Sequence, residues 1–181
     1  MAFTPRRAWS RLAVAAAAAA LVVTGLAVPA SANTTVINCT GEVELAFSPG
    51  LTYSDQTVSY TGEDRATSCI SVTHPYLHSF VGPFSGTATQ SCGTLLDDGV
   101  GTEVLYWNGG TTLTSTWTYS YVAQQLASVV VFTVTGTVTS GVAAGAVLNQ
   151  VNVIPLADFL ACSQPGGLQG YTGASTWVFT G

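Results

Sequence analysis

The chain has no lysine and only four arginines in 181 residues. Arg6, Arg7 and Arg11 lie at the extreme N-terminus, and only Arg65 stands elsewhere. Nucleic-acid binding needs cations to displace counterions from phosphates, so that class of partner is excluded. Docking on an anionic membrane surface fails for the same reason. The glycine-rich turns have neither the lysine nor the strand-to-helix setting of a phosphate loop. Histidine is almost as scarce, with His74 and His78 alone. Neither stands in a recognisable triad setting, and no G-x-S-x-G elbow is present, so nucleophilic catalysis has no support. Helical periodicity is nearly absent. Beyond residue 32, every apolar run is broken by Thr, Ser, Asn or Gly, so none has the length of a membrane-spanning helix.

What the N-terminus does contain is an export signal. The three arginines form a positive start, an Ala/Leu/Val run extends from Leu12 to Val28, and Ala30-Ser31-Ala32 is an A-x-A cleavage site. Residues 1–32 therefore read as a signal peptide, and the mature chain starts at Asn33. An uncut N-terminal anchor is the alternative. The small residues at the cleavage positions and the lack of a following stop-transfer pattern argue against it. The Arg6-Arg7 pair raises the twin-arginine route, which Ala8-Trp9-Ser10 fits poorly. Removing 32 of 181 residues leaves 149, the length of one domain, residues 33–181. That domain has one base against nine acids, a side-chain net charge of −8, which helps to keep an apolar, Thr-rich protein dispersed. The expected compartment is extracellular, with no membrane partner once the signal is cut.

Cysteine usage points the same way. Cys39, Cys69, Cys92 and Cys162 all lie in the mature part, and an even count in an exported chain reads as two disulfides. A zinc site is the alternative, but no pair has C-x-x-C spacing and none is near a histidine. Of three possible pairings, Cys39–Cys69 with Cys92–Cys162 is favoured. The first ties the opening strand to the third, and the second pins the long late loop to the middle of the sheet. Each is worth about 3–5 kcal/mol in the chain-entropy model.

Period-two alternation recurs along the mature chain. In "VELAF", Val43, Leu45 and Phe47 share a face. "TVSYTG" and "ATSCISV" read as short strands around a charged cluster, Glu63-Asp64-Arg65. "PFSGTATQSC" follows. Strands at 101–107 and 111–122 are joined at Asn108-Gly109-Gly110, residues that accept positive φ. In "SVVVFTVTGTVTSG", Val130, Phe132, Val134 and Val138 face one way and Thr133, Thr135, Thr137 and Thr139 the other. "AVLNQVNVIP" returns, and "GYTGASTWVFTG" closes with Tyr171, Trp177 and Phe179 in phase. About eight or nine strands with Gly/Pro/Asn punctuation predict an all-β, antiparallel fold. The long connections at 73–83 and 155–169 favour a β-sandwich, in which they cross between two sheets. The run of hairpins from 101 to 154 suits the alternative, an up-and-down β-barrel.

Taken together, "CTGEVELAFSPGL", "GTEVLYWNGG", "VTGTVTSGVAAGA" and a late cysteine before "GGLQGYTGAST" resemble a group of small secreted β-rich proteins of actinobacteria with no assigned function. The resemblance spans nearly all of the mature chain and rests on turn glycines, Thr ladders and cysteines. It implies compartment and fold and supplies no catalytic residue. Ala143 stands where such proteins often carry a Phe in the turn.

Candidate chemistry is sparse. His74 and His78 have the i, i+4 spacing of a helical metal chelate, but Pro75 disfavours helix at His74 and no carboxylate is nearby, so a solvated loop is expected and no metal or cofactor is assigned. Asp97, Asp98 and Glu103 could act as acid and base in glycoside hydrolysis or ligate calcium, whereas Asp-Asp-Gly ahead of a strand is also an ordinary turn. The aromatics are the best lead. Tyr106, Trp117, Tyr119 and Tyr121 share a phase with Val104 and Leu113 and are assigned to the core. Trp107 and Leu105 fall on the opposite face, beside Thr112, Thr114, Thr116 and Thr118. An exposed Trp there could stack on a sugar or on a partner side chain, the alternative being that the protein itself covers it. The expectation is a non-enzymatic extracellular binding or structural domain, with cell wall, polysaccharide or a protein as possible partner. Its rivals are a carboxylate-dependent hydrolase and a small-ligand carrier whose barrel cavity is lined by the in-phase aromatics.

Overall fold

The alternation seen in the sequence becomes strands, and the strands close on themselves. The computed structural model describes residues 36–181; the signal peptide expected at 1–32 lies outside the described residues. Eight antiparallel strands follow in chain order: β1 (Val36–Leu51), β2 (Gln56–Ser71), β3 (Phe80–Gln90), β4 (Gly99–Trp107), β5 (Thr114–Gln125), β6 (Val129–Gly141), β7 (Val147–Pro155) and β8 (Leu168–Thr180). Each pairs with its neighbours in sequence, and β8 pairs with β1 to complete an up-and-down barrel. The all-β antiparallel class holds, but the chain does not form a sandwich. The connections that favoured crossings join adjacent strands instead, and their length is used to stopper the barrel. Residues 72–79 tuck Leu77 into one end. At the other, a one-turn helix (Leu156–Phe159) and a 3₁₀ turn (Leu160–Ser163) insert Phe159 and Cys162.

The strand count falls to eight because Gln56–Ser71 is one continuous strand and not two around a charged turn. Both disulfides form as favoured, Cys39–Cys69 and Cys92–Cys162. The first staples β1 to β2, with the two cysteines directly opposite in register. The second joins the β3–β4 connection to the 3₁₀ turn at the same barrel end.

Inside the barrel are two apolar clusters. One holds Phe80, Trp107, Trp117, Trp177 and Phe179, where Phe80 meets Trp107 and Trp177 edge-on with centroids 5.2 and 5.0 Å apart. The other holds Phe47, Leu51, Val58, Leu95, Val130, Phe132, Ile154, Phe159 and Leu168. The Thr-rich faces form the outer wall, where Thr118 stands opposite both Thr102 and Thr137, so uncharged β-formers cover a surface with few ions.

Trp107 and Leu105 are on the inside, at 1% and 0% exposure, and not on the outer Thr face. The reason is register. The turn after Trp107 runs through residue 113, closed by the Trp107 N–H donating to the Leu113 carbonyl at 2.9 Å. Strand β5 therefore resumes at Thr114 and sets Leu105 opposite Ser115 and Glu103 opposite Trp117. A one-residue change of register exchanges the faces of a hairpin. Trp107, Leu105, Trp117, Tyr119 and Tyr121 share the interior, whereas Val104 and Tyr106 belong to the outer wall.

Candidate functional site

Between the two apolar clusters lies a polar belt. Asp64, Glu103, Gln150, Asn152 and Ser175 are all buried. Each stands in phase with the apolar residues of its strand: Asp64 with Val58 and Ala66, Glu103 with Leu105, Gln150 and Asn152 with Leu148 and Ile154, and Ser175 with Trp177. Gln150 Nε2 donates to Asp64 Oδ1 at 2.8 Å and to Asn152 Oδ1 at 3.0 Å. Ser175 Oγ donates to Asn152 Oδ1 at 2.7 Å, and the Trp117 indole N–H donates to Glu103 Oε2 at 3.0 Å.

Asp64 and Glu103 lie on β2 and β4, with β3 between them. Gly82 of β3 stands opposite Asp64. A Cβ at Gly82 would lie only 2.0 Å from Glu103 Oε1, so the missing side chain is what lets Glu103 reach across β3. The two carboxyls are thereby brought close together inside the barrel, over Gly82. Two neighbouring carboxyls in a buried site do not both ionise readily, so they titrate as a pair. Burial, then the charge of Asp64, holds Glu103 well above the usual carboxylate range. Burial pushes Asp64 up to about 7, opposed by the bond from Gln150. Glu103 therefore holds its proton more firmly than a solvated carboxyl does. Glu103 Oε1 meets no hydrogen-bond partner from the chain.

The pair faces a cavity of about 430 Å³ whose wall includes Phe47, Tyr60, Phe84, Tyr119, Tyr121, Phe132 and Tyr171. Three of the tyrosines are set by glycine. Gly86, Gly99 and Gly101 stand opposite Tyr60, Tyr121 and Tyr119, and each ring lies over the space that a glycine leaves. Burial raises the Tyr119, Tyr121 and Tyr171 hydroxyls above the ordinary phenol range, so they are neutral donors and acceptors.

The cavity opens through the wall. Strands β3 and β4 pair only at Phe80–Trp107 and Val81–Tyr106, then diverge. Outward-facing Ser85, Val100 and Thr102, on the two sides of this gap, also line the cavity, which therefore reaches the surface there. An eight-stranded barrel has an interior just wide enough to be filled by side chains or to hold one small ligand. With glycine at several inner positions of β3 and β4, side chains leave part of this interior open.

Comparison with family models, with curated proteins and with solved structures finds no match to this chain. Its chemistry is therefore read from the site alone.

The residues singled out in sequence are dispersed. Glu103 is internal, while Asp97 and Asp98 are exposed in the turn before β4, so the three carboxylates are not brought together. His78 is exposed, and His74 Nδ1 lies 3.0 Å from the Thr73 hydroxyl in the β2–β3 connection, at the end away from the cavity. Among the described residues, no group of three or more His, Cys, Asp or Glu is close enough to hold a metal ion. Asp64, Gln150 and Asn152 were missed by the sequence reading. Their signal was phase: a polar residue repeatedly occupying the buried position of an alternating strand.

Proposed function

We propose that the mature protein is an extracellular small-ligand carrier that takes its ligand into the barrel through the β3–β4 gap. The observation that supports this most is the cavity, walled by aromatic rings and carrying a polar group whose valence the chain does not fill. Pockets for small molecules combine largely apolar walls with a few convergent polar groups, and their volumes run from about 300 to 1,000 Å³. The extracellular assignment rests on the signal-like N-terminus and on two disulfides, which persist in oxidising compartments. The Thr/Ser-rich outer wall and apolar interior are the inverse of the pattern of a membrane-spanning barrel.

A binding role fits the carboxyl pair better than glycoside hydrolysis does. In glycosidases the two carboxyls stand about 5–9.5 Å apart to flank a scissile bond. Here both carboxyls crowd the space over the single residue Gly82.

The test is a neutral environment-sensitive probe, N-phenyl-1-naphthylamine, titrated into mature protein with both disulfides intact. A saturable, one-to-one rise in fluorescence is expected. It should be lost in Ala88→Trp, which fills the cavity from β3, while a thermal melt shows that variant still folded. No enhancement with the native protein, or full enhancement with Ala88→Trp, overturns the proposal. Mass spectrometry of secreted protein checks the compartment, with a mature start at Asn33 expected.

A further inference from the structure

Resting on the carrier reading, we propose that the ligand is a small organic cation, its ammonium group seated on the Asp64–Glu103 pair and its body against the ring-lined wall. The geometry carries this. Both carboxyls are at least nine-tenths buried and both line the cavity. Asp64 accepts from the neutral amide of Gln150, and Glu103 from the neutral indole of Trp117. Neither has a positive partner. The one basic side chain on the described strands, Arg65, points outward and pairs with Glu63 on the outer wall. An ionised acid buried without a counter-charge is costly, and Glu103 Oε1 is a buried atom without a hydrogen-bond partner in the chain. An ammonium group brings both the charge and the donors.

The rest of the wall suits the same class. Tyr60, Tyr119, Tyr121 and Tyr171 line the cavity with Phe47 and Phe132, and aromatic rings attract a cation placed over their faces. The titratable groups facing the site are Asp64, Glu103 and these four tyrosines; neither histidine lines it. At low pH both carboxyls carry protons and have no charge to offer. Raising the pH ionises Asp64 and strengthens the seat, while Tyr119, Tyr121 and Tyr171, raised by burial, stay neutral.

The experiment is calorimetry with three cations and their neutral isosteres: tyramine against tyrosol, phenethylamine against 2-phenylethanol, and choline against 3,3-dimethyl-1-butanol. At least one cation is expected to bind about tenfold more tightly than its isostere at pH 7.5, and to lose about tenfold at pH 5.5. Asp64→Asn should erase both the preference and the pH dependence, while Arg65→Ala, on the outer wall, should change neither. If the isosteres bind as well as the cations, or if the preference survives in Asp64→Asn, the cation proposal falls. If the neutral naphthylamine probe still binds, the carrier reading stands without it. If cations, isosteres and probe all fail to bind, the carrier reading falls too.

Discussion

Asp64 shows how one side chain can be hidden in plain sequence. Between Glu63 and Arg65 it reads as part of a charged turn, yet Val58, Tyr60, Gly62, Asp64 and Ala66 keep strict alternation. The strand continues through the charges, and Asp64 faces inward because its neighbours in phase do. Its burial has a measurable consequence. The folded-state value of about 7 lies above the ordinary 3.8, so between those pH values the folded protein holds a proton that the unfolded chain has lost. Stability is therefore greatest below about pH 4 as far as this group is concerned, and declines as the pH rises toward 7. Glu103, also raised, extends the decline. The loss is on the order of a few kcal/mol, or a fall of about 5–10 °C in Tm. Melts from pH 4.5 to 8 should show that fall in the native protein and a flatter profile in the double variant Asp64→Asn, Glu103→Gln. Trp107 supports a second prediction. Buried like Trp117, with its indole donating to Ser115 Oγ at 2.8 Å, it should cost about 3–5 kcal/mol on truncation to Ala, as Trp117 should. Urea unfolding of the two variants side by side checks this, and a neutral Trp107→Ala would return that residue to the surface.

Elements were legible where alternation was long. The faces of β1 and β6 were read correctly from Val43, Leu45 and Phe47 and from Val130, Phe132, Val134 and Val138. The β4–β5 hairpin was located correctly but mis-phased, because Asn-Gly-Gly marks a turn without fixing its length. The β3–β4 gap was not legible, since a missing strand pair leaves no local pattern; the facing glycines Gly86, Gly99 and Gly101 were its trace. Next to that gap, the Cys92–Cys162 bond links positions 70 residues apart and fastens the stopper of residues 156–167 over one barrel end. Replacing both cysteines by Ala should cost about 3–5 kcal/mol. Hydrogen exchange should show 156–167 opening first, with β5 and β6 still protected. Uniform loss of protection across all strands would deny this segment its separate dependence on the bond.

At the scale of the whole molecule, the choice between sandwich and barrel turned on connections. Their lengths suggested crossings, but long connections serve equally to fill the ends of a closed sheet, as Leu77 and Phe159 do. Closure pairs β8 with β1 and produces an interior that a sandwich would have filled with its two facing sheets. Within that interior the belt of Asp64, Glu103, Gln150, Asn152 and Ser175 lies between two aromatic-rich clusters and faces the lateral opening. The carrier proposal requires this interior to receive a ligand. Trp117 provides the most direct reporter, because its indole N–H is bonded to the cavity-lining Glu103, whereas Trp177 packs against Phe80. In a nitrogen-15 spectrum, titration with N-phenyl-1-naphthylamine should move the Trp117 indole signal saturably and leave that of Trp177 nearly in place. A Trp117 signal that stays fixed while the probe binds would put the ligand outside the barrel and contradict the account.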